Sequence, residues 1–418
     1  MQHIEANNIL TKEQFGFRLG ASTVKASYRL NDLILKALNN KMMVGGIFCD
    51  LRKAFDCINH NILLTKLEYY GIRGIALKLI KSYLEGRYQK VILENNQHVS
   101  SSNWGIIKHG VPQGSILGPL LFLFYINDLP KSIKSNAEAV LFADDTSIIV
   151  KSLNPTTFGN TINKVFQDIN KWFTVNMLSL NAEKTQFMQF VTKINSLLQI
   201  DIIHENKKIA NVFNTKFLGL TLDNSFSWKT HIDTVIPKLS SACYTIRILK
   251  PFLSQKSLKM VYYSYFHSIM TYGLIFWGNT SHSKIIFRMQ KKAIRNIMGI
   301  KNKESCRKYF KELKILPMKS QYIYLVALFV VENRQHFEVN TEIHKINTRT
   351  KSDLHYPLTH LTIFQKGIHY VGIKIFNNLP AELKELFQDI KQFKLKLKSY
   401  LHFYSFYTLE EYFKQKTI

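Results

Sequence analysis

The chain has 418 residues, 46% of them hydrophobic, with four cysteines and 56 Lys and Arg against 29 Asp and Glu, a net charge of +27. That apolar share argues against disorder along the whole length. Four scattered cysteines, with no Cys-x-x-Cys pair and no His at zinc spacing, argue against a disulfide framework and a structural zinc site. So basic a chain is expected to meet a polyanion, nucleic acid before a membrane surface. The charge is uneven: residues 1–228 hold 25 basic and 17 acidic residues, residues 229–418 hold 31 and 12. The second half is therefore expected to grip phosphate. The polar start, MQHIEANNILTKEQ, has no signal core, and apolar runs such as Tyr322 to Val331 fall short of the ~20 residues of a membrane helix. The expectation is a soluble intracellular protein of the nucleus or cytoplasm, with no membrane partner.

In chain order, the spacing of Val24, Tyr28, Leu33 and Leu35 predicts a helix over Ser22–Asn39, ended by Gly45-Gly46. Ile47-Phe48-Cys49 reads as a short buried strand that delivers Asp50 to its end. Helices follow over His60–Tyr70 and Ile75–Leu84, separated by Gly71 and Gly74. Tyr88–Glu94 alternates like a strand, with Trp104–Ile107 as its hairpin partner. A Gly/Pro-rich loop opens a helix over Leu117–Leu129. Ala139–Ala143 and Thr146–Lys151 form a hairpin with acids at its turn. Thr156–Phe173 is helical, and Thr185–Val191 and Phe217–Leu222 are strands. His231–Leu249, Gln255–Thr271 and Lys284–Met298 read as helices, and little is assigned in the last hundred residues. The class is α+β, with antiparallel strands near the acids.

Three carboxylates stand where burial should be expensive: Asp50 at a strand end, and Asp144 and Asp145 after Val140-Leu141-Phe142-Ala143. A buried acid needs a cation or a hydrogen-bond partner. Acids gathered from separate strands suit Mg²⁺, which prefers oxygen ligands. Two such ions would activate an attacking 3′-hydroxyl and stabilise a leaving pyrophosphate. Any one of these Asp residues alone reads as an ordinary turn acid, and the surrounding sequence reverses that reading.

Around them run Phe48-Cys-Asp-Leu-Arg-Lys-Ala-Phe-Asp56, Gly110-Val-Pro-Gln-Gly-Ser-Ile-Leu-Gly-Pro119 and Phe142-Ala-Asp-Asp145. In this order and spacing they resemble the reverse transcriptases of non-LTR retrotransposons, the jockey-like and LINE-like elements. Gln14-Phe-Gly-Phe-Arg18 is similar to the family's fingers motif. Leu178-Ser-Leu-Asn-Ala-Glu-Lys184 is similar to its fourth palm motif, and Phe217-Leu-Gly-Leu220 to its primer-grip region. Tyr272-Gly273, Trp277 and Gln290-Lys-Lys-Ala-Ile-Arg295 extend the likeness, which thins beyond about Lys319.

The resemblance implies a right-hand polymerase fold: an antiparallel palm sheet backed by helices, partial fingers, a helical thumb and a helical C-terminal extension. Partial fingers would occupy 1–45, the palm with fingers elements 46–228, the thumb 229–310, and a basic region of uncertain role 311–418. It implies an RNA-directed DNA polymerase that uses an RNA template, a DNA primer and deoxynucleoside triphosphates. Asp50, Asp144 and Asp145 would hold two Mg²⁺ ions, with Mn²⁺ as a substitute. Phe55 would sit under the incoming sugar and collide with a 2′-hydroxyl. Gln113 and Gly114 would lie against the nucleotide, and Arg18 would touch its phosphates. Lys184 would protonate the pyrophosphate as a general acid. Asp56 would cap the turn into the next helix.

Independently of the family, Arg288, Lys291, Lys292 and Arg295 fall at i, i+3, i+4 and i+7. They define a basic face opposite Ile286, Met289, Ala293 and Ile297, suited to a duplex backbone. Only 13 residues precede the Gln14 motif, so the fingers are expected to be truncated and the upstream endonuclease absent. A second reading follows: a catalytically silent nucleic-acid-binding remnant. An RNA-templated RNA polymerase is disfavoured by Phe55.

Overall fold

The computed structural model describes residues 2–95, 98–133, 137–192, 197–301, 304–344 and 353–415. Helix and sheet are mixed, and the chain divides into two compact units, Met1–Thr215 and Lys216–Ile418.

The first unit is built on a five-stranded sheet. Its spatial order is Ala210–Asn211, Gln186–Phe190, Met43–Cys49, Asp145–Ser152 and Ala137–Phe142. All neighbours run antiparallel except Ala210–Asn211, which runs parallel to Gln186–Phe190. The strand Met43–Cys49 lies at the centre with all seven residues buried. It begins earlier than the sequence predicts, because Gly45 and Gly46 lie inside it. A Cβ on Gly45 would stand 2.8 Å from the Phe187 ring and 3.2 Å from Ile162. One on Gly46 would stand 2.8 Å from the Phe48 ring and 3.2 Å from Phe190. The two glycines admit large rings from both sides.

One face of the sheet packs against Leu117–Ile126 and the helix Pro155–Val175. The latter buries Phe158, Ile162, Val165, Phe166, Ile169 and Phe173 at helical spacing. Each fully buried Phe or Ile contributes roughly 1.5–3 kcal/mol. The helix Thr23–Asn39 covers the other face, and its N-cap Ser22 accepts from the Lys25 amide. Helices His60–Tyr69 and Gly74–Leu84 agree with the sequence reading; Gly71 and Gly74 both take positive φ between them. The expected hairpin of Tyr88–Glu94 with Trp104–Ile107 is instead two short ladders. Tyr88–Gln89 pairs with Gly105–Ile106, and Ile92–Asn95 with His98–Ser101. These strands are exposed throughout, so no buried face marked their register.

The second unit begins within the hairpin Asn214–Phe217/Leu220–Asp223. The single strand predicted over Phe217–Leu222 is thus divided by a turn at Leu218–Gly219, both at positive φ. Helices follow at Lys229–Leu249, Gln255–Val261, Ser283–Met298, Met318–Glu332, Ile368–Asn377 and Ile390–Tyr404. The helix predicted over Gln255–Thr271 carries a π-helical turn at Tyr262–His267. Tyr262, Phe266, Trp277 and Tyr322 are fully buried. Among the described residues no helix is long and apolar enough to cross a membrane.

Candidate active site

Asp50 directly follows the central strand. That strand's register ends at Cys49 opposite Thr146, so Asp50 and Asp145 each stand one residue beyond that last pair. On the neighbouring pair, Phe142 faces Asp145 across the two-residue turn Ala143-Asp144. Three carboxylates therefore share one end of the sheet, although some ninety positions separate them in sequence. Partial desolvation, then Asp144, then Asp50 push the Asp145 carboxyl above its ordinary value.

The acids are less enclosed than the sequence suggested. Asp50 and Asp144 are half-buried and Asp145 is exposed. They lie at the end of the ladders, Asp145 in the last pair and Asp50 and Asp144 just outside it, so burial is not what singles them out.

Asp50 is seated by the segment Ser179–Thr185. Its Oδ2 accepts from Asn181 Nδ2 at 3.0 Å, its carbonyl accepts from the Asn181 amide at 2.8 Å, and its own amide donates to Thr185 Oγ1 at 3.2 Å. Arg52 donates to the Ser179 carbonyl at 2.9 Å. Neither Asn181 nor Thr185 stands out in the sequence, because the partner of each, Asp50, lies more than 130 residues away. Lys184, the expected general acid, belongs to the same segment and is exposed.

The donors suit a hard divalent cation: oxygen alone, from two adjoining chain segments, with like charges that a cation would relieve. Neighbouring Cys49 is buried and its thiol is pushed up to about 12, so no thiolate competes. Among the described residues, no three His, Cys, Asp or Glu side chains are already closed around one point. The carboxylates would have to draw in onto an ion.

Phe55 is half-buried, its ring stacked on buried Phe122 at 4.6 Å between centroids. The loop after Gly110 is stitched to the Phe55–His60 turn. Val111 donates to the Phe55 carbonyl, Gly110 donates to that of Ile58, and His60 Nε2 lies 2.8 Å from the Gly110 carbonyl. Gly110 has φ +83°, and a Cβ there would meet the Asp56 backbone at 2.8 Å. Gln113 is exposed and its amide donates to Asp56 Oδ1 at 2.9 Å. Gly114 has φ +79° and open space beside it. Asp56 does not cap the following helix. Asn59 does so, accepting from the Ile62 amide at 3.1 Å, because it lies immediately before the first helical residue.

Arg18 donates to the carbonyls of Thr11 at 2.5 Å and Gln14 at 3.3 Å, and so braces its own loop. The basic face on Ser283–Met298 is divided. Arg288 and Lys292 are exposed. Lys291 lies over the Phe287 ring at 5.0 Å, and Arg295 donates to the Glu304 carbonyl at 3.0 Å. On the buried side, Gln290 donates to Tyr262 and the Leu316 carbonyl and accepts from Met318.

The profile of the family described as "Reverse transcriptase (RNA-dependent DNA polymerase)" matches residues 1–222. The "Probable RNA-directed DNA polymerase from transposon BS" of Drosophila melanogaster is 29% identical over 69% of this chain and 33% of that protein. The "RNA-directed DNA polymerase from mobile element jockey" of Drosophila funebris is 28% identical over 71% of this chain and 33% of that protein. The chain thus spans about a third of the length of these curated relatives. Among solved structures, apo telomerase from Candida tropicalis is 13% identical. It covers 78% of this chain and 55% of that one at a TM-score of 0.40, too low for a shared fold to be argued.

Proposed function

This chain belongs to the reverse transcriptase (RNA-dependent DNA polymerase) family, among those of non-LTR retrotransposons, and on that premise we propose that it extends a DNA primer on an RNA template. The observation that supports this best is the meeting of Asp50 with the Ala143–Asp145 turn at one end of the sheet. Two divalent ions, when bound, would assist attack of the primer 3′-hydroxyl on the nucleotide α-phosphate and stabilise the departing pyrophosphate.

Asp50, Asp144 and Asp145 would hold those ions, with Asn181 keeping the Asp50 carboxylate turned toward its partners. Phe55, steadied by Phe122, would offer its free edge to the sugar and exclude a 2′-hydroxyl. Gln113 would have to leave Asp56 to reach the nucleotide, in a loop where Gly114 leaves room for close approach. Lys184 would deliver a proton to the pyrophosphate, and Arg18 would act near the nucleotide phosphates through the loop it braces. Arg288 and Lys292, with Lys291 and Arg295 swung outward, would grip the primer–template. We assign partial fingers to 1–45, palm to 46–228, thumb to 229–310 and a basic extension to 311–418.

The test is primer extension on an RNA template with purified protein, Mg²⁺ and deoxynucleoside triphosphates. Extension that stops with Asp144→Asn supports the reading. Tight binding of the primer–template with no extension in Mg²⁺ or Mn²⁺ would overturn it in favour of a silent binding remnant.

A further inference from the structure

Gln14 is a polar side chain only 2% exposed. A buried amide needs partners, and those of Gln14 lie 129 residues away, on the turn that carries the acids. Its Oε1 accepts from the Ala143 amide at 2.9 Å, and its Nε2 lies 3.4 Å from the Ala143 carbonyl. The same Oε1 accepts from the Gly16 amide at 2.7 Å.

The backbone around Gln14 sets up this contact. Phe15 donates to the Leu141 carbonyl at 2.8 Å, and Leu141 donates to that of Glu13 at 2.9 Å. These bonds form a short parallel bridge on the outer edge of Ala137–Phe142. Where backbone pairing ends, the Gln14 side chain takes over as the partner of Ala143. Gly16 lets the segment come this close, since a Cβ there would stand 2.3 Å from the Ala143 nitrogen. The segment is itself anchored. Buried Asn127 accepts from the Thr11 amide at 2.7 Å and donates to the Ile9 carbonyl at 2.8 Å. Arg18 holds the Thr11 and Gln14 carbonyls.

Ala143 has reason to need holding. Its φ is +56°, a left-handed region that strains a non-glycine residue. Strain of this kind persists where the surroundings over-determine it. Asp144 and Asp145 follow at once, so a rotation of the Ala143 peptide would move both carboxylates.

We infer that Gln14 is a positioning residue for the catalytic acids, its amide fixing the Ala143 peptide so that Asp144 and Asp145 meet Asp50 in register. It touches neither nucleotide nor ion. The inference rests on the polymerase reading above, and its test separates the two.

Gln14→Met keeps the length of the side chain and forms neither bond. Single-nucleotide incorporation by this variant should show kcat lower by about 10- to 100-fold, the scale of a small misplacement of reacting groups. KM for the nucleotide and affinity for primer–template should stay within about twofold, and the Mg²⁺ concentration for half-maximal rate should rise. A general loss of packing would instead lower binding as well. The second measurement is hydrogen exchange at the Ala143 amide in metal-free protein. That amide should be protected in the wild type and lose protection in Gln14→Met, while Met43–Cys49 stays protected. Wild-type kcat and Mg²⁺ dependence in the variant would overturn the inference. So would an unprotected Ala143 amide in the wild type, a measurement that decides even if the variant does not fold. A wild type that extends no primer overturns the polymerase reading instead, and the exchange measurement still decides the role of Gln14.

Discussion

Two tight hairpin turns, one in each compact unit, are both held by a distant side chain, but in different ways. Leu218–Gly219 carries glycine at its second position, and Leu218 bears the strain of positive φ at its first. The hydroxyl of Tyr272, a residue 43% exposed, donates to the Leu218 carbonyl. Close approach is met by glycine again at Gly273, whose Cβ would stand 2.4 Å from a Leu220 methyl. Ala143–Asp144 has no glycine of its own, and its clamp, Gln14, is almost wholly buried. The glycine sits instead on the clamping segment, at Gly16. The first turn is held at the surface by a contact that water could replace. The second is held where water does not reach, next to like charges that favour separation. A turn that must present acids in one orientation needs the second arrangement.

The largest expected effect is on chemistry. Asp144→Asn should lower primer extension on the order of 10⁴-fold, the scale of losing one member of a catalytic group. Primer–template affinity should stay the same or rise slightly as repulsion falls. A variant that retains a tenth of wild-type extension would remove this turn from the site.

The glycines sharpen the contrast next. Gly16→Ala drives a Cβ into backbone at Ala143, which no rotamer change relieves, and should cost upwards of about 3 kcal/mol of first-unit stability. Gly273→Ala meets a Leu220 methyl that can swing aside, leaving mainly the φ +61° cost of about 1–2 kcal/mol. Denaturant melts followed by hydrogen exchange in each unit would compare them. Equal losses would mean that the two approaches are held alike.

The units should also answer acid in opposite senses. Burial, with Lys238 nearby, lowers His231 from its ordinary 6.5 to about 4, and burial lowers His267 and His402 as well. An unfolded chain protonates these rings first. The second unit should therefore be at full strength above pH 6.5 and lose stability as pH falls toward 4, by up to about 3 kcal/mol for His231. The Asp145 carboxyl is raised, so its charge opposes folding. The metal-free first unit should gain stability as pH falls through that raised value, and lose it again as pH rises. Asp145→Asn should accordingly raise its melting temperature at neutral pH while removing turnover. A lower melting temperature in that variant would contradict the shift.

The smallest effect is expected for Tyr272→Phe. It removes one partly exposed hydrogen bond, about 0.5–1.5 kcal/mol, and should leave kcat unchanged in the incorporation assay. A fall in kcat as large as that expected for Gln14→Met would erase the distinction between the two clamps.

What the sequence made legible was local. The strand before Asp50, the hairpin around Asp144 and Asp145, and the helices after Trp228 follow from apolar spacing within a dozen residues. What escaped it lay across the chain. Gly45-Gly46 looked like a break because two of the rings that crowd them, Phe187 and Phe190, come from another strand. The turn inside Phe217–Leu222 was hidden because its clamp is 54 residues on. Arg288, Lys291, Lys292 and Arg295 all lie on the helix Ser283–Met298, as their spacing suggests. Only the fold reveals that Lys291 lies over Phe287 and that Arg295 is spent on Glu304. The role of Asp56 was misassigned for a related reason: its partner, Gln113, stands on a loop 57 residues away.

The central claim is that acids from two strand ends act as one ion-holding site. Electron paramagnetic resonance of Mn²⁺ tests it most directly, with wild-type protein, primer–template and a non-hydrolysable deoxynucleotide analogue. The account predicts a spin-coupled pair, with ions roughly 3.5–4 Å apart, that disappears in Asp50→Asn and in Asp144→Asn alike. Uncoupled Mn²⁺ in the wild type, or a coupled pair that survives either substitution, would contradict it.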